Sequence, residues 1–325
     1  MKLFALDSTK SFGEAVADSL GLPLSPHEER EFEDGEHKAR PLVTVRGNDV
    51  FVVQSLHGGP EQSAGDKLVR LLFFLATLRQ GGARRITAAI PYLAYARKDR
   101  QTKPRDPVTT RYMAELLEAA GADAVVTLDI HNIVAFQNAF RRHAWHLDTR
   151  RLFIRHLHPA LANDTLVVAS PDPGGVKRAQ LFREMLENIL GRPAGSAFME
   201  KRRSAGIVSG TLLVGEVRGA TAIIIDDMIS SGGTMLRAAE ALLAQGAARI
   251  IALAGHGLFT QGAAEVLARP EIDRWLVTDT IPPFRLPPEL AARRLEIVSA
   301  APLFAEAIRR LHENGSLVEL LEGEA

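Results

Sequence analysis

At 325 residues and 46% hydrophobic content, the chain is long enough for two medium domains with substantial cores. Lys plus Arg and Asp plus Glu both number 39, so the formal net charge is zero. That balance argues against general attraction to nucleic acid or a membrane surface, while local basic clusters can still hold phosphates. The chain has no cysteine, which excludes a disulfide framework, a zinc–thiolate site and a thiol nucleophile, and fits a reducing compartment.

The opening MKLFALDSTKSFGEAVADSLG reads as strand, turn and helix and lacks the long apolar core of a signal peptide. No uncharged run approaches the roughly 20 residues needed to cross a bilayer, so the cytoplasm is the expected location. Short apolar strands are predicted at 50–54, 85–90, 124–128, 166–169, 222–225, 250–254 and 274–277. Helical patterns fall between them, at 67–80, 109–120, 176–190 and 236–245. The alternation predicts an α/β fold with largely parallel sheets and functional loops at the C-terminal strand ends.

An internal echo accompanies the alternation. Asp123-Ala-Val-Val-Thr-Leu-Asp-Ile-His131 resembles Ala222-Ile-Ile-Ile-Asp-Asp227 in layout, and Gly82-Ala-Arg-Arg-Ile86 resembles Gly246-Ala-Ala-Arg-Ile250. Two related halves are expected, 1–148 and 149–325, with the last segment able to pack back on the first half.

The most informative stretch is Thr221-Ala-Ile-Ile-Ile-Asp-Asp-Met-Ile-Ser-Ser-Gly-Gly-Thr234. An apolar strand is expected to end at Asp226 and Asp227, followed by a small-residue turn and a helix. Backbone N–H groups converging at a helix N-terminus suit a phosphate. Carboxylates there would repel it unless they hold something else, such as vicinal hydroxyls or a metal. A sugar phosphate satisfies both halves. Asp226 and Asp227 are therefore candidate pentose ligands, and Ser230, Ser231, Gly232, Gly233 and Thr234 candidate phosphate ligands.

Other groups are open on their own. Phe32, Asp34 and Glu36 offer an aromatic face and two acceptors, but Asp-Gly-Glu alone is usually a surface turn. Arg97, Lys98, Asp99 and Arg100 follow Ile-Pro-Tyr-Leu-Ala-Tyr, a segment read as finishing a strand. They could hold a triphosphate or form a solvated charge run. His131 and Asp172 lie just past strand ends, where a lone His is more often structural. Lys201-Arg-Arg203 reads alone as a hydrated run or a nucleic-acid patch, the latter weakened by zero net charge and no interleaved aromatics.

Collinear landmarks resolve these alternatives: Phe32-Glu-Asp-Gly-Glu36, Ile90 to Arg100, Leu128-Asp-Ile-His131, Ser170-Pro-Asp-Pro-Gly-Gly175, Glu200-Lys-Arg-Arg203, the 226–234 loop and Thr278-Asp-Thr-Ile-Pro282. In this order they resemble the ribose-phosphate pyrophosphokinase (PRPP synthetase) family over nearly the whole chain. The resemblance implies two phosphoribosyltransferase-like domains, each a largely parallel sheet flanked by helices. It implies a Mg²⁺-dependent transfer of the ATP diphosphoryl group to C1 of ribose 5-phosphate, giving phosphoribosyl pyrophosphate (PRPP) and AMP. It assigns Phe32, Asp34, Glu36, Arg97 and Lys98 to ATP, His131 and Asp172 to metal and phosphates, and Lys201 and Arg203 to catalysis. It also implies a homo-oligomer with sites near subunit interfaces, and no nucleic-acid or membrane partner. A regulatory homologue without turnover and a phosphoribosyltransferase are the alternative readings. Lys98 stands where the family commonly has Gln, Ser230 and Ser231 where it commonly has Asp and Thr, and the segment after His131 departs from the usual continuation.

Overall fold

The computed structural model describes residues 1–161, 164–204 and 207–323, and the side chains of all of these but 200–212. The chain divides into two compact units, 1–148 with 300–325, and 149–299.

In the first unit, β1 (Lys2–Ala5) leads through α1 (Lys10–Leu20) to an antiparallel hairpin of β2 (His27–Glu31) and β3 (His37–Pro41). There follow β4 (Asp49–Val53), α2 (Ala64–Gln80), β5 (Arg85–Ile90), α3 (Thr109–Ala119), β6 (Ala124–Leu128), α4 (Ile133–Ala139) and β7 (His143–Leu147). The main sheet has the order β1-β4-β5-β6-β7, with every neighbouring pair parallel. Strand β4, Asp-Val-Phe-Val-Val, is buried along its whole length, as parallel strands covered on both faces require.

The second unit runs α5 (Arg150–Leu161), β8 (Leu166–Ser170), α6 (Val176–Leu190), β9 (Gly195–Ser204), β10 (Ile207–Val214), β11 (Thr221–Ile229) and α7 (Gly233–Ala244). It continues with β12 (Arg249–Gly257), α8 (Ala263–Leu267), β13 (Arg274–Thr278), α9 (Pro288–Arg294) and β14 (Leu295–Val298). Its sheet order is β10-β9-β8-β11-β12-β13-β14. Successive side chains of β11 serve opposite faces. Ala222 and Ile224 join Val167, Ile250 and Trp275 in one core. Ile223 and Ile225 join Phe153, Phe182 and Leu253 in the other. Each fully buried Ile contributes about 1.5–3 kcal/mol, so β11 is anchored from both sides.

The terminal helices α10 (Ala301–Glu313) and α11 (Leu317–Glu322) belong to the first unit, where α10 packs on α1. Phe12 and Phe304 meet edge to face at 5.5 Å. Arg85 donates to the Leu311 carbonyl at 2.7 Å, and His312 Nδ1 lies 2.7 Å from Asp49 Oδ2. Burial opposes ionisation of Asp49, but its bonds with Arg85 and His312 outweigh that and hold its pKa below the ordinary range.

The two sheets share one plan. In each, a first strand and helix precede an antiparallel pair of strands, and then four more parallel strands follow in spatial order: β4-β5-β6-β7 in one unit, β11-β12-β13-β14 in the other. This makes β5 the counterpart of β12, in agreement with the shared Gly-Ala-x-Arg-Ile. It also makes β6 the counterpart of β13, not of β11, so the likeness of 123–131 to 222–227 is not a repeat. Both segments are apolar strands followed by acids, a pattern that any strand end facing a polar site can show. The true counterpart of the β11 loop is the β4–α2 connection.

Candidate functional site

The β11–α7 loop is very short. Strand β11 does not stop at Ile225, as its apolar run predicts, but pairs with β12 through Asp226↔Ala254, Met228↔His256 and Ile229↔Gly257. The ladder is made by backbone groups, so the acids cost it nothing and sit inside the strand. Only Ser230, Ser231 and Gly232 connect it to α7. Thr260 donates its N–H to the Ser230 carbonyl at 2.9 Å, and the two hydroxyls share a hydrogen bond at 3.1 Å. Gly232, the N-cap, has φ 81°, and a Cβ there would lie 2.9 Å from Val266 Cγ1. No other residue fits without strain. Gly232 also offers no side chain to cap α7, so the first-turn amides and the positive end of the dipole remain available to an anion. Thr234 accepts from Arg237 Nη2 at 3.2 Å, which places a cation on the same turn.

Above this turn the acids form a pair. Arg178 Nη1 donates to Asp226 Oδ1 at 3.1 Å and stands 3.3 Å from Asp227 Oδ1. The Asp227 N–H donates to Asp226 Oδ1 at 2.9 Å. Burial, followed by the charge of Asp227, pushes the Asp226 carboxyl up to about 8, with Arg178 opposing. A desolvated acid pair whose repulsion is only partly relieved gains from hydroxyl donors that approach it.

Asp172 follows β8 as N-cap of a single 3₁₀ turn, Pro173–Gly175, and its Oδ1 accepts from the Gly175 N–H at 3.0 Å. A Cβ on Gly175 would come within 2.7 Å of Ser170 Oγ, so this tight exit requires glycine. Asp172 Oδ2 makes no hydrogen bond among the described residues. Lys201 and Arg203 fall on β9, facing Thr211 and Val208 of β10 in register. Their side chains lie outside the described residues.

In the first unit, Phe32 to Glu36 form the tip of the β2–β3 hairpin. The Phe32 N–H donates to the Glu36 carbonyl at 2.7 Å, the Glu36 N–H to Asp34 Oδ1 at 3.1 Å, and Arg30 covers the Phe32 ring at 5.1 Å. Phe32 is 39% exposed, which for an aromatic on a hairpin tip leaves a face for stacking. Arg70 on α2 anchors the hairpin through Glu31 at 2.7 Å.

Strand β5 ends at Ile90, and Pro91 to Ala94 form a buried connection instead of more strand. Proline removes a ladder donor, and Leu56 N–H takes the Tyr92 carbonyl at 2.9 Å. Arg97 and Arg100 are exposed. Lys98 is not: it forms an ion pair with Asp106 and donates to Thr102 Oγ1 at 2.8 Å. Asp106, held strongly acidic by Lys98 and Thr102, organises this loop. The extra charge at position 98 is thus answered within its own loop. His131 is exposed beyond β6, where Asp129 has φ 39°. Asn132 caps α4, accepting from Val134 and Ala135, and its Nδ2 donates to Asp99 Oδ2 at 2.6 Å. The altered segment after His131 therefore ties that turn to the basic segment.

Sequence reasoning missed Arg178. Its signal was position: a cation in the first turn of a helix opposes the macrodipole, so it needs an acidic partner. It also missed Arg237, the Asp106 anchor and Asn132, because their roles depend on tertiary neighbours.

A parallel α/β unit with a carboxylate pair and an uncapped helix N-terminus at its central strand end is the architecture of a phosphoribosyl-binding protein. In agreement, residues 143–258 match the phosphoribosyl transferase domain, 1–121 the N-terminal domain of ribose phosphate pyrophosphokinase, and 207–322 the phosphoribosyl synthetase-associated domain. A ribose-phosphate pyrophosphokinase of Caldanaerobacter subterraneus subsp. tengcongensis is 39% identical over 98% of this chain and 97% of its own. One from Granulibacter bethesdensis is 38% identical over 99% and 100%. The crystal structure of phosphoribosylpyrophosphate synthetase from Mycobacterium smegmatis superposes with a TM-score of 0.86 at 34% identity, covering 97% of this chain and 99% of that one. The chain belongs to the ribose-phosphate pyrophosphokinase family. Among the described residues no helix is long and apolar enough to cross a membrane.

Proposed function

We propose that this protein transfers the diphosphoryl group of ATP to the C1 hydroxyl of ribose 5-phosphate, giving PRPP and AMP. The observation that carries the reading is the uncapped α7 N-terminus directly after the Asp226–Asp227 pair, which matches a pentose bearing one phosphate and vicinal hydroxyls. Ser230 to Thr234 cradle the 5-phosphate with main-chain amides and hydroxyls, and the two acids accept from the ring hydroxyls. Phe32 stacks on the adenine, Asp34 and Glu36 take the ribose, and Arg97 meets the phosphates, with Lys98 shaping the loop that presents it.

Magnesium fits the donor chemistry. Asp172 keeps one carboxylate oxygen outside its turn, and a hard cation takes one carboxylate together with phosphate oxygens and water. Asp172 would hold it, with His131 acting on phosphate or through water. When bound, Mg²⁺ would neutralise phosphate charge. The chain's own residues position the sugar hydroxyl for in-line attack on the β-phosphorus, and Lys201 and Arg203 stabilise charge on the non-bridging and leaving oxygens. The protein is proposed to act in the cytoplasm as a homo-oligomer.

Incubation with ribose 5-phosphate and Mg-ATP is expected to give AMP and PRPP in equal amounts. ADP as the sole nucleotide product would overturn the mechanism, and base-dependent release of pyrophosphate from PRPP would point to a phosphoribosyltransferase instead. Lys201→Ala should lower kcat by roughly 100-fold or more, the usual cost of removing a group that stabilises transition-state charge. Intact turnover would remove Lys201 from the catalytic role.

A further inference from the structure

We propose that Arg178 is a positioning residue for the pentose, holding Asp226 and Asp227 as a matched pair of acceptors for its hydroxyls. The inference rests on the reading that these acids grip the sugar.

Consecutive strand residues normally send their side chains to opposite faces. Here one guanidinium nitrogen nevertheless reaches an oxygen of each, at 3.1 Å and 3.3 Å. Asp227 is 2% exposed, so its carboxylate has little water to replace a lost partner. Two carboxyl groups that share the Arg178 guanidinium keep acceptor oxygens that hydroxyl donors can satisfy and a phosphate cannot. This separates the ring end of the substrate from the phosphate end held by α7. Arg178 reaches the pair from the first turn of α6, the helix that begins directly after the Asp172 turn. Its planar fork sets direction as well as charge, a property lysine shares only in part.

A purely structural arginine would affect both substrates alike; a positioning arginine would not. The test is steady-state kinetics with each substrate varied in turn, plus calorimetric binding of ribose 5-phosphate, on Arg178→Gln, Arg178→Lys and Asp226→Asn. Arg183→Gln is the control: that residue lies on the same helix and pairs with Glu187. Loss of a charge-assisted bond predicts a rise in KM for ribose 5-phosphate of roughly 10- to 100-fold in R178Q, with KM for ATP changed less than about twofold. R178K should recover part of the loss, leaving KM about 3- to 10-fold above wild type, and R183Q should match wild type. Should R178Q fail to fold, R178K carries the test, and unchanged KM values for both substrates in it would overturn the proposal. So would an R178Q enzyme in which both KM values and kcat shift together. If Asp226→Asn leaves ribose 5-phosphate binding intact, the sugar-gripping reading itself fails. If it weakens binding while R178Q does not, only the role of Arg178 fails.

Discussion

The β4–α2 and β11–α7 connections occupy the same place in the two units, yet one closes on itself and the other is left open. Helix α2 begins with a complete capping box: Ser63 Oγ accepts from the Asp66 N–H, and Asp66 Oδ2 accepts from the Ser63 N–H. The residues before it are also engaged. Gln54 Nε2 donates to Ser8 Oγ at 2.9 Å, the Ser55 N–H donates to Thr9 Oγ1 at 3.0 Å, and buried Lys67 stands 3.4 Å from His57 Nε2. Helix α7 begins at a glycine with no side-chain cap, next to two acids that share Arg178. The same topology thus yields a stabilising loop where side chains satisfy the helix, and a binding loop where they do not. Function here is a matter of which polar groups the protein leaves for a ligand to complete.

Three changes test that contrast, in descending order of effect. Gly232→Ala forces a side chain into left-handed backbone against Val266. It should raise KM for ribose 5-phosphate by roughly 100-fold, through a strain cost of order 1–3 kcal/mol and displaced amides. Kinetics beside circular dichroism will show whether the loss is local, and near-normal affinity would mean the turn does not hold the phosphate.

The second change concerns Asp226. Burial, followed by the charge of Asp227, raises its carboxyl from the ordinary 3.8 of an unfolded aspartate to about 8 in the fold. Between those values the folded protein keeps a proton that the unfolded chain has released, so stability falls as pH rises through that window. The ionised form is the better acceptor for sugar hydroxyls, so KM for ribose 5-phosphate should fall, roughly up to tenfold, between pH 7 and 9. Asp226→Asn should flatten the pH dependence of both KM and the denaturation midpoint. A KM profile identical in wild type and variant would sink this account.

The smallest effect belongs to the closed loop. Ser63→Ala removes the cap of α2 and should cost about 1 kcal/mol, lowering the melting temperature by a few degrees while KM for ribose 5-phosphate stays as in wild type. A large loss of sugar binding there would erase the distinction between the loops.

Much of the fold was legible because its strands are short apolar runs separated by helical patterns, which parallel sheets buried on both faces require. Strand β11 was read too short because the ladder continues under Asp226 and Asp227, where side-chain polarity says nothing about backbone pairing. The same blindness hid the hairpin β2–β3, whose His-Glu-Glu-Arg-Glu looks like a charged loop. Of the candidate site, the glycines, hydroxyls and acids of 226–234 stood together because they are neighbours in the chain. Arg178 was invisible, since it lies 48 positions from its partner, and Lys98 looked like a free cation until Asp106 was seen beside it.

Residue order alone thus dictated the layered α/β architecture and the composition of the sugar-phosphate loop, because both follow from local periodicity and short-range chemistry. Only the tertiary structure decided which charges are answered internally and which await a ligand, since Arg178, Asp106 and Ser63 exert their effects through contacts that folding creates. It also showed which pair of loops corresponds, because topology is a property of strand order in space and not of similar-looking segments in the chain.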